Sequence, residues 1–117
     1  MRLSIEAFKR IYGASGEMRY EFSDGETLVG VASVSATEDA YFLHIITVMP
    51  EERGKGYGSL ILEMICSKFN DLPLRLELDA SSPLGLDKLK SWYERHGFTY
   101  VAGEEMVRLN SALDESR

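Results

Sequence analysis

Three alternating glycines between an apolar segment and an amphipathic segment constrain this chain more than any other feature. The glycines are Gly54, Gly56 and Gly58, within the sequence RGKGYG. Residues 41–48 before them, YFLHIITV, are apolar at both odd and even positions, which is typical of a central strand covered on both faces. After them, apolar side chains recur at helical spacing through about Phe69, which predicts a helix with a wide buried face made of Leu60, Ile61, Met64, Ile65 and Phe69. The sequence therefore predicts a central strand, a glycine-rich turn and a helix in direct succession.

The other predicted elements follow from hydrophobic periodicity and from turn residues. They are a helix over residues 4–12 stopped by Gly13, a hairpin of residues 18–22 and 27–34, a strand over 74–79, a helix from 81–83 to about His96 capped by Gly97, and strands over 98–101 and 106–109. Residues 110–117 are predicted to be a frayed tail. A chain of 117 residues suits one domain. We therefore expect a single α/β (α+β) domain over residues 1–117, with a mixed, mainly antiparallel sheet flanked by helices.

Charge and cysteine content limit the function classes. Thirteen Lys and Arg against nineteen Asp and Glu give a net charge of −6, which argues against a nucleic-acid partner and is compatible with a cationic substrate such as an amine. The single cysteine, Cys66, excludes an internal disulfide, and no His, Asp or Glu set has the spacing of metal ligands. No apolar run approaches the ~20 residues of a membrane span. We expect a soluble cytoplasmic protein without a metal or a membrane partner.

The glycine segment predicts an anion site. Glycines allow consecutive amides to converge on one point, and the positive end of the following helix dipole suits a diphosphate. Arg53 and Lys55 add positive charge. The segment is not a P-loop, because Lys55 precedes Gly56, and it is not a dinucleotide fingerprint, because Ser59 replaces the third glycine. A strand-to-helix turn without a ligand is the alternative interpretation.

Three segments in this order resemble the GNAT superfamily of N-acetyltransferases. Residues 53–58 resemble that family's acyl-CoA loop, Gln/Arg-x-x-Gly-x-Gly/Ala. Residues 43–50, LHIITVMP, are similar to its Leu-x-x-Leu-x-Val-x-Pro strand end, and residues 93–98, YERHGF, resemble its Tyr-x-x-x-Gly-Phe. The resemblance covers about residues 27–109. It implies a GNAT-like fold and transfer of an acetyl group from acetyl-CoA to a primary amine of a small molecule, a lysine or a protein N-terminus.

The resemblance also implies roles for individual residues. The backbone of Ile46 and Val48 would pair with the pantetheine arm, and the strands that carry Ile46 and Glu77 would splay apart around the thioester. Tyr93 would protonate the departing thiolate. The pyrophosphate would be held by the amides of Arg53, Gly54, Lys55, Gly56, Tyr57, Gly58 and Ser59.

The sequence does not decide which residue acts as the general base. An alkyl ammonium with a pKa of ~10.4 must lose a proton before it can attack. His44 occupies a strand position similar to that of the base in some arylalkylamine N-acetyltransferases, and its imidazole suits the task. A histidine packed between strand and helix is the alternative. Glu77, Asp79 and a water relay are further candidates for the base, whereas Trp92 and Cys66 are interpreted as packing residues and His96 as a helix-end charge.

The sequence departs from the family before Met18, where we expect about one helix in place of the usual strand and two helices. That segment normally helps to wall the acceptor site, so the acceptor is undetermined. A catalytically inactive module that binds acyl-CoA or a protein partner is the alternative function, and acylation of aminoacyl-tRNA is disfavoured by the net charge. A sheet edge left open by a short N-terminal region would allow a homodimer.

Overall fold

A computed structural model of the chain describes residues 4–8, 17–79 and 85–109, the first of these ranges for the backbone alone. The strands are β1 (Ser4–Phe8), β2 (Met18–Asp24), β3 (Thr27–Ala36), β4 (Tyr41–Val48), β5 (Leu74–Glu77), β6 (Thr99–Ala102) and β7 (Glu105–Arg108). The helices are α1 (Tyr57–Lys68) and α2 (Leu86–Arg95), and a short 3-10 turn spans Pro50–Glu52. The seven strands form one sheet in the order β1-β2-β3-β4-β5-β7-β6.

The sheet is mixed and mainly antiparallel, as predicted. Every described strand pair is antiparallel except β4 with β5, which are parallel. A parallel pair needs a crossover, and α1 supplies it. β4 lies at the centre of the order, as expected for residues 41–48. It is not covered on both faces, however: Leu43 is buried, whereas the side chain of Ile45 is 54% exposed.

The predicted hairpin of β2 and β3 is confirmed. Gly25, at a φ of 66°, allows the tight turn between the two strands. Alternate side chains of both strands, including Phe22 and Val34, are buried beneath α1. Gly30 permits close approach of that helix, because a Cβ there would lie 2.5 Å from Cδ1 of Ile61 and 2.8 Å from the carbonyl oxygen of Thr47.

The buried face of α1 differs in part from the predicted one. Ile61, Ile65 and Phe69 are buried as expected, as is Cys66, and Leu62 joins them. Leu60 and Met64, which were expected to face the core, are only partly buried. The first ten residues of α1 carry apolar side chains around most of the helix circumference. Hydrophobic periodicity therefore does not single out one face, and the predicted buried face is rotated about the helix axis from the observed one.

The first element is a strand, and the prediction of a helix over residues 4–12 is wrong for residues 4–8. β1 pairs antiparallel with β2 from Ser4 opposite Ser23 to Phe8 opposite Arg19. The spacing of Ile5 and Phe8 suits a short helix, but five consecutive ladder positions on β2 outweigh such a weak local preference. Residues 9–13 lie outside the described residues. The strand that the resemblance requires here is therefore present, and β1 rather than β2 forms this edge of the sheet.

The C-terminal half follows the predicted order of elements with shifted boundaries: β5 ends at Glu77 rather than at residue 79, and β6 and β7 are each displaced by one residue. α2 begins at Leu86 rather than at residues 81–83, and residues 80–84 lie outside the described residues. The helix ends at Arg95, and Gly97 follows its C-cap at a φ of 92°, which confirms the predicted glycine stop. The closing pair of β6 and β7 is confirmed. The expected frayed tail, residues 110–117, lies outside the described residues.

Candidate functional site

A gap opens between the two parallel strands. Pairing of β4 with β5 ends where Leu43 lies opposite Leu76, although β4 continues to Val48. At this point β4 also contains a β-bulge, because Ser33 lies opposite Ile45 and Val34 opposite Leu43, with His44 between them unpaired. A bulge bends and twists its strand. The splay that the family resemblance implied would begin where this pairing ends.

The gap leads into a cleft of about 1010 Å³. One wall is β4 from Leu43 to Val48, and the other is the end of β5 together with α2. The glycine segment closes one end of the cleft. Among the sequence-predicted site residues, those that line the cleft are His44, Ile46, Val48, Arg53, Gly56, Gly58, Ser59, Glu77, Asp79 and Tyr93.

The glycine segment forms an open cradle before α1. Gly54 and Gly56 have φ values of 81° and 85°, a conformation that side chains disfavour. A Cβ at either position would have no atom within 4 Å, so the cradle is open on that side. Gly56 is the N-cap of α1 and supplies no side-chain cap, and the first helical amides have no partner within the helix. Open glycines and unpaired amides at a helix N-terminus fit the diphosphate of a CoA thioester.

The two basic residues of the segment already have partners. Nε of Arg53 donates a hydrogen bond to the carbonyl oxygen of Val48 at 3.2 Å. The ammonium of Lys55 lies 3.1 Å from a carboxylate oxygen of Glu52. Exposed pairs of this kind contribute little stability, so both side chains are free to exchange partners. The carbonyl of Val48, one of the groups expected to pair with the pantetheine arm, is occupied by Arg53.

The side chain of Tyr57 faces away from the cleft. Its hydroxyl donates a hydrogen bond to Oδ2 of Asp24 at 2.8 Å, and the side chain is buried. This hydrogen bond, reinforced by burial and by the charges of Asp24 and Glu52, raises the pKa of Tyr57 above its usual value. The side chain of Tyr57 is therefore not placed to bind an anion in the cleft. Its backbone amide, at the start of α1, remains suited to that role.

Trp92 does more than the packing role expected of it. Its indole N–H donates to Oγ of Ser59 at 3.0 Å, and its ring lies 3.8 Å from the position of a Cβ on Gly58. The indole therefore joins α2 to the first turn of α1 at the cleft wall. The sequence carries one signal for this role, since a buried indole N–H requires an acceptor.

Tyr93 belongs both to the core and to the cleft. The residue is 9% exposed, and its ring contacts those of Trp92 and Phe98 at centroid distances of 4.9 and 5.3 Å. Burial, with smaller effects from Asp79 and Cys66, raises the pKa of Tyr93 to about 12. The hydroxyl consequently keeps its proton at neutral pH and is available there as a donor.

His44 is half-exposed at the bulge, and the alternative of a packed strand histidine is wrong. Its Nε2 lies 2.7 Å from Oγ of Ser35 and 3.7 Å from Oε1 of Glu17, and its side chain is 41% exposed. The hydroxyl of Ser33 donates to the other carboxylate oxygen of Glu17 at 3.1 Å. These contacts hold the imidazole beside the carboxylate of Glu17. Sequence periodicity gave no indication of this cluster, which depends on the register of three strands.

Several other expectations concern the surroundings of the cleft. Cys66 is buried in the core, where burial raises the pKa of its thiol, as expected for a packing residue. The carbonyl of His96 accepts a hydrogen bond from Nε of Arg108.

Within residues 17–79 and 85–109, no group of three His, Cys, Asp or Glu side chains is placed to hold a metal ion. None of the described helices is both long and apolar enough to cross a membrane.

Comparison of the sequence with family models identifies a match over most of the chain. The model of the acetyltransferase (GNAT) domain matches residues 19–100. No sequence among the curated proteins matches the chain.

Solved structures share the fold at low sequence identity. An acetyltransferase from Thermus thermophilus aligns at 19% identity with a TM-score of 0.66, over 79% of this chain and 63% of the other, so this chain spans just under two thirds of that protein. The ribosomal-protein-S18-alanine N-acetyltransferase from Escherichia coli aligns at 20% identity with a TM-score of 0.63, over 82% and 67%. The E. coli protein YhhK, solved bound to coenzyme A, aligns at 17% identity with a TM-score of 0.70, over 94% and 100%.

One further match is the KacTA–DNA complex, at 15% identity and a TM-score of 0.65, over 98% of each chain. The expectation that this chain has no nucleic-acid partner therefore depends on its net charge and not on its fold.

Proposed function

Because the chain belongs to the GNAT acetyltransferase family, we propose that it transfers the acetyl group of acetyl-CoA to a primary amine. The observation that carries the proposal is the meeting of three features in one cleft: the glycine cradle before α1, the gap between β4 and β5, and the protonated hydroxyl of Tyr93. Bound acetyl-CoA supplies an acyl group that is activated as a thioester.

The cradle is the proposed site of the diphosphate. The amide of Arg53 donates to the carbonyl of Pro50, so the amides of residues 54–59 are the proposed donors, and the side chains of Arg53 and Lys55 would add positive charge once they leave Val48 and Glu52. Ile46 and Val48 line the cleft beyond the point where β5 departs, so their backbone is the proposed site of the pantetheine arm. Tyr57 contributes its amide, while its side chain stays with Asp24.

Tyr93 is the proposed proton donor. A pKa of about 12 means that its proton is present at every pH at which the enzyme would work. The same value makes full transfer to a thiolate unfavourable, since an ordinary thiol has a pKa near ~8.5. The hydroxyl therefore donates a hydrogen bond to the negative charge that develops on sulfur as the bond to the acyl carbon breaks, and any proton that it passes to the thiolate is replaced from solvent or from the protonated base.

His44 is the proposed general base. It lines the cleft with one ring nitrogen held by Ser35 beside the carboxylate of Glu17, and the ring would take a proton from the amine. Glu77 and Asp79 line the same cleft from the side of β5. We assign them the attraction of the ammonium group, with proton removal by either one, or through water, as the alternative.

The acceptor is proposed as a primary amine of a small molecule or of a protein. The structural match to an enzyme whose name specifies a ribosomal-protein alanine supports the second class for the fold in general. The buried free Cys66 suits a reducing compartment, and we propose the cytoplasm. A homodimer remains a prediction.

Turnover with a panel of amines tests the proposal. Purified protein is incubated with acetyl-CoA and with polyamines, aralkylamines or peptides that have a free lysine or N-terminus, and thiol release is followed. Amine-dependent release that a Tyr93→Phe variant loses supports the proposal. Binding of acetyl-CoA without thiol release in any mixture would identify an inactive acyl-CoA-binding module instead.

A further inference from the structure

The hairpin of β2 and β3 contacts both ends of the connection that runs from β4 to α1 and contains the glycine segment. At one end, the amide of Met49 donates to the carbonyl of Val29 at 2.8 Å. At the other end, the hydroxyl of Tyr57 donates to Oδ2 of Asp24 at 2.8 Å. Met49 immediately precedes the 3-10 turn, and Tyr57 is the first residue of α1. The residues between these two contacts therefore form a loop that is held by the hairpin at its start and at its end.

The hairpin is irregular where it makes these contacts. Phe22 lies opposite Gly30 and Ser23 opposite Leu28, so Val29 has no partner in the ladder. Such a bulge redirects the strand. On the other side of β3, Gly30 lies opposite Val48, and the hydrogen bond from Met49 to Val29 continues that ladder by one residue. Asp24 follows the bulge at the end of β2.

The loop needs external support because of its own composition. Gly54 and Gly56 have more backbone freedom than any other residue type, so they permit the cradle conformation without enforcing it. Gly56 provides no side-chain cap for α1. The buried phenol of Tyr57, 7% exposed, is thus a side-chain anchor for the first turn, in which Gly58 and Ser59 line the cleft.

We propose that Asp24 is a positioning residue for the acyl-CoA diphosphate, acting through the hydroxyl of Tyr57 to hold the glycine cradle in its binding conformation. The inference rests on the proposed function and adds a residue that lies outside the cleft. It predicts an effect on cofactor affinity and on the order of the loop, with little effect on the chemical step.

The structure offers a matched control for this test. The hydroxyl of Tyr41 donates to Oδ1 of Asp71 at 2.6 Å, which is the same chemical pair at the other end of β4. Asp24→Ala and Asp71→Ala each remove the acceptor of a tyrosine hydroxyl. We expect Asp24→Ala to raise the KM and Kd for acetyl-CoA about tenfold, with kcat at saturation unchanged. Asp71→Ala leaves both constants at the wild-type values.

Two further variants separate positioning from folding. Asp24→Asn keeps an oxygen acceptor, so it restores most of the affinity that Asp24→Ala loses. Tyr57→Phe removes the donor, and the Asp24→Ala/Tyr57→Phe double variant binds no more weakly than the poorer single variant, because both changes delete one interaction. Additive losses would contradict the proposed link.

Hydrogen exchange tests the loop in the absence of cofactor. Amides of residues 53–60 should exchange faster in Asp24→Ala than in Asp71→Ala or the wild type. Equal exchange in this segment, or a KM that rises no more than in Asp71→Ala, would overturn the inference. If the wild-type protein itself fails to bind acetyl-CoA, the proposed function falls, and the exchange comparison alone decides whether Asp24 orders the loop.

Discussion

The two ends of the cleft are built by different means. The cofactor end is backbone held by hydrogen bonds: Met49 to Val29, Tyr57 to Asp24, and Trp92 to Ser59. The other end, called here the acceptor end because the amine is proposed to bind there, consists of side chains that are open to solvent. His44 and Ile45 are exposed there on the bulge of β4. The cofactor end therefore depends on backbone conformation, whereas the acceptor end depends on which side chains are present.

This difference explains why the cofactor end is easier to predict from the amino-acid sequence than the acceptor end. A glycine cradle can be recognised from residue types that permit one unusual backbone shape, and it binds a group common to every CoA thioester. An acceptor site depends on which side chains several strands bring together. We therefore expect substitutions at the cofactor end to abolish binding, and substitutions at the acceptor end to alter rates.

The largest expected effect is at the cradle. Gly56→Asp adds a side chain at a φ of 85° and a negative charge where the diphosphate would lie. The Kd for acetyl-CoA should rise at least about 100-fold, because like charges placed together cost several kcal/mol. Titration calorimetry measures the loss.

Gly103→Asp is the control for this substitution. Gly103 has a φ of 59° and no atom within 4 Å of a Cβ, and it lies in the turn between β6 and β7. It therefore imposes comparable strain away from the cleft. Equal affinity in the two variants would show that the cradle is only a turn.

The next effect is on the chemical step. Tyr93→Phe removes the hydroxyl but keeps the ring contacts with Trp92 and Phe98. We expect kcat to fall about 100-fold, as for loss of a general acid, with little change in the affinity for acetyl-CoA. Tyr20→Phe is the matched control, since Tyr20 is buried in the core beside Phe69. Full activity of Tyr93→Phe would make Tyr93 a packing residue.

A smaller effect is expected at the acceptor end. His44→Gln should lower kcat/KM about tenfold at neutral pH, because Glu77, Asp79 and water remain in the cleft to accept a proton. His96→Gln provides the comparison, as the chain has two histidines. The base assignment is wrong if both variants retain the wild-type rate and the same pH profile.

The last prediction concerns stability at high pH rather than binding or rate. The pKa of Tyr93 is raised to about 12, so below pH 10 this group is protonated in both the folded and the unfolded chain and adds no pH dependence. Between about pH 10 and 12 the unfolded chain loses its proton first, and the free energy of unfolding falls by about 2 to 3 kcal/mol. Urea denaturation should show a steeper decline for the wild type than for Tyr93→Phe. Parallel curves would mean that the phenol is hydrated in the folded state.

The sequence was sufficient where local pattern and tertiary structure agree. The hairpin, the central strand, both helices and the glycine stop at Gly97 all follow from periodicity and from turn residues. The first strand was missed because Ile5 and Phe8 satisfy a helical spacing, whereas the partner that makes them a strand is β2. Pairing across the sheet is not visible in a short window of sequence.

The candidate site was predicted in part from local motifs, and its site residues remain predictions. Open glycines before a helix identify the cradle, and a matching motif identifies Tyr93. The link from Asp24 to Tyr57 joins residues 33 positions apart, and the contacts of His44 with Ser35 and Glu17 depend on strand register and on a bulge. Such contacts arise from folding as a whole, so local residue patterns do not reveal them.

Calorimetric titration of the purified protein with acetyl-CoA tests the central claim most directly, with dephospho-CoA and ATP as comparison ligands and Gly56→Asp as the variant control. We predict micromolar binding of acetyl-CoA by the wild type, no binding of ATP, and no binding of acetyl-CoA by Gly56→Asp. Absence of acetyl-CoA binding by the wild type, or unchanged binding by Gly56→Asp, would contradict the assignment of the glycine cradle as the cofactor site.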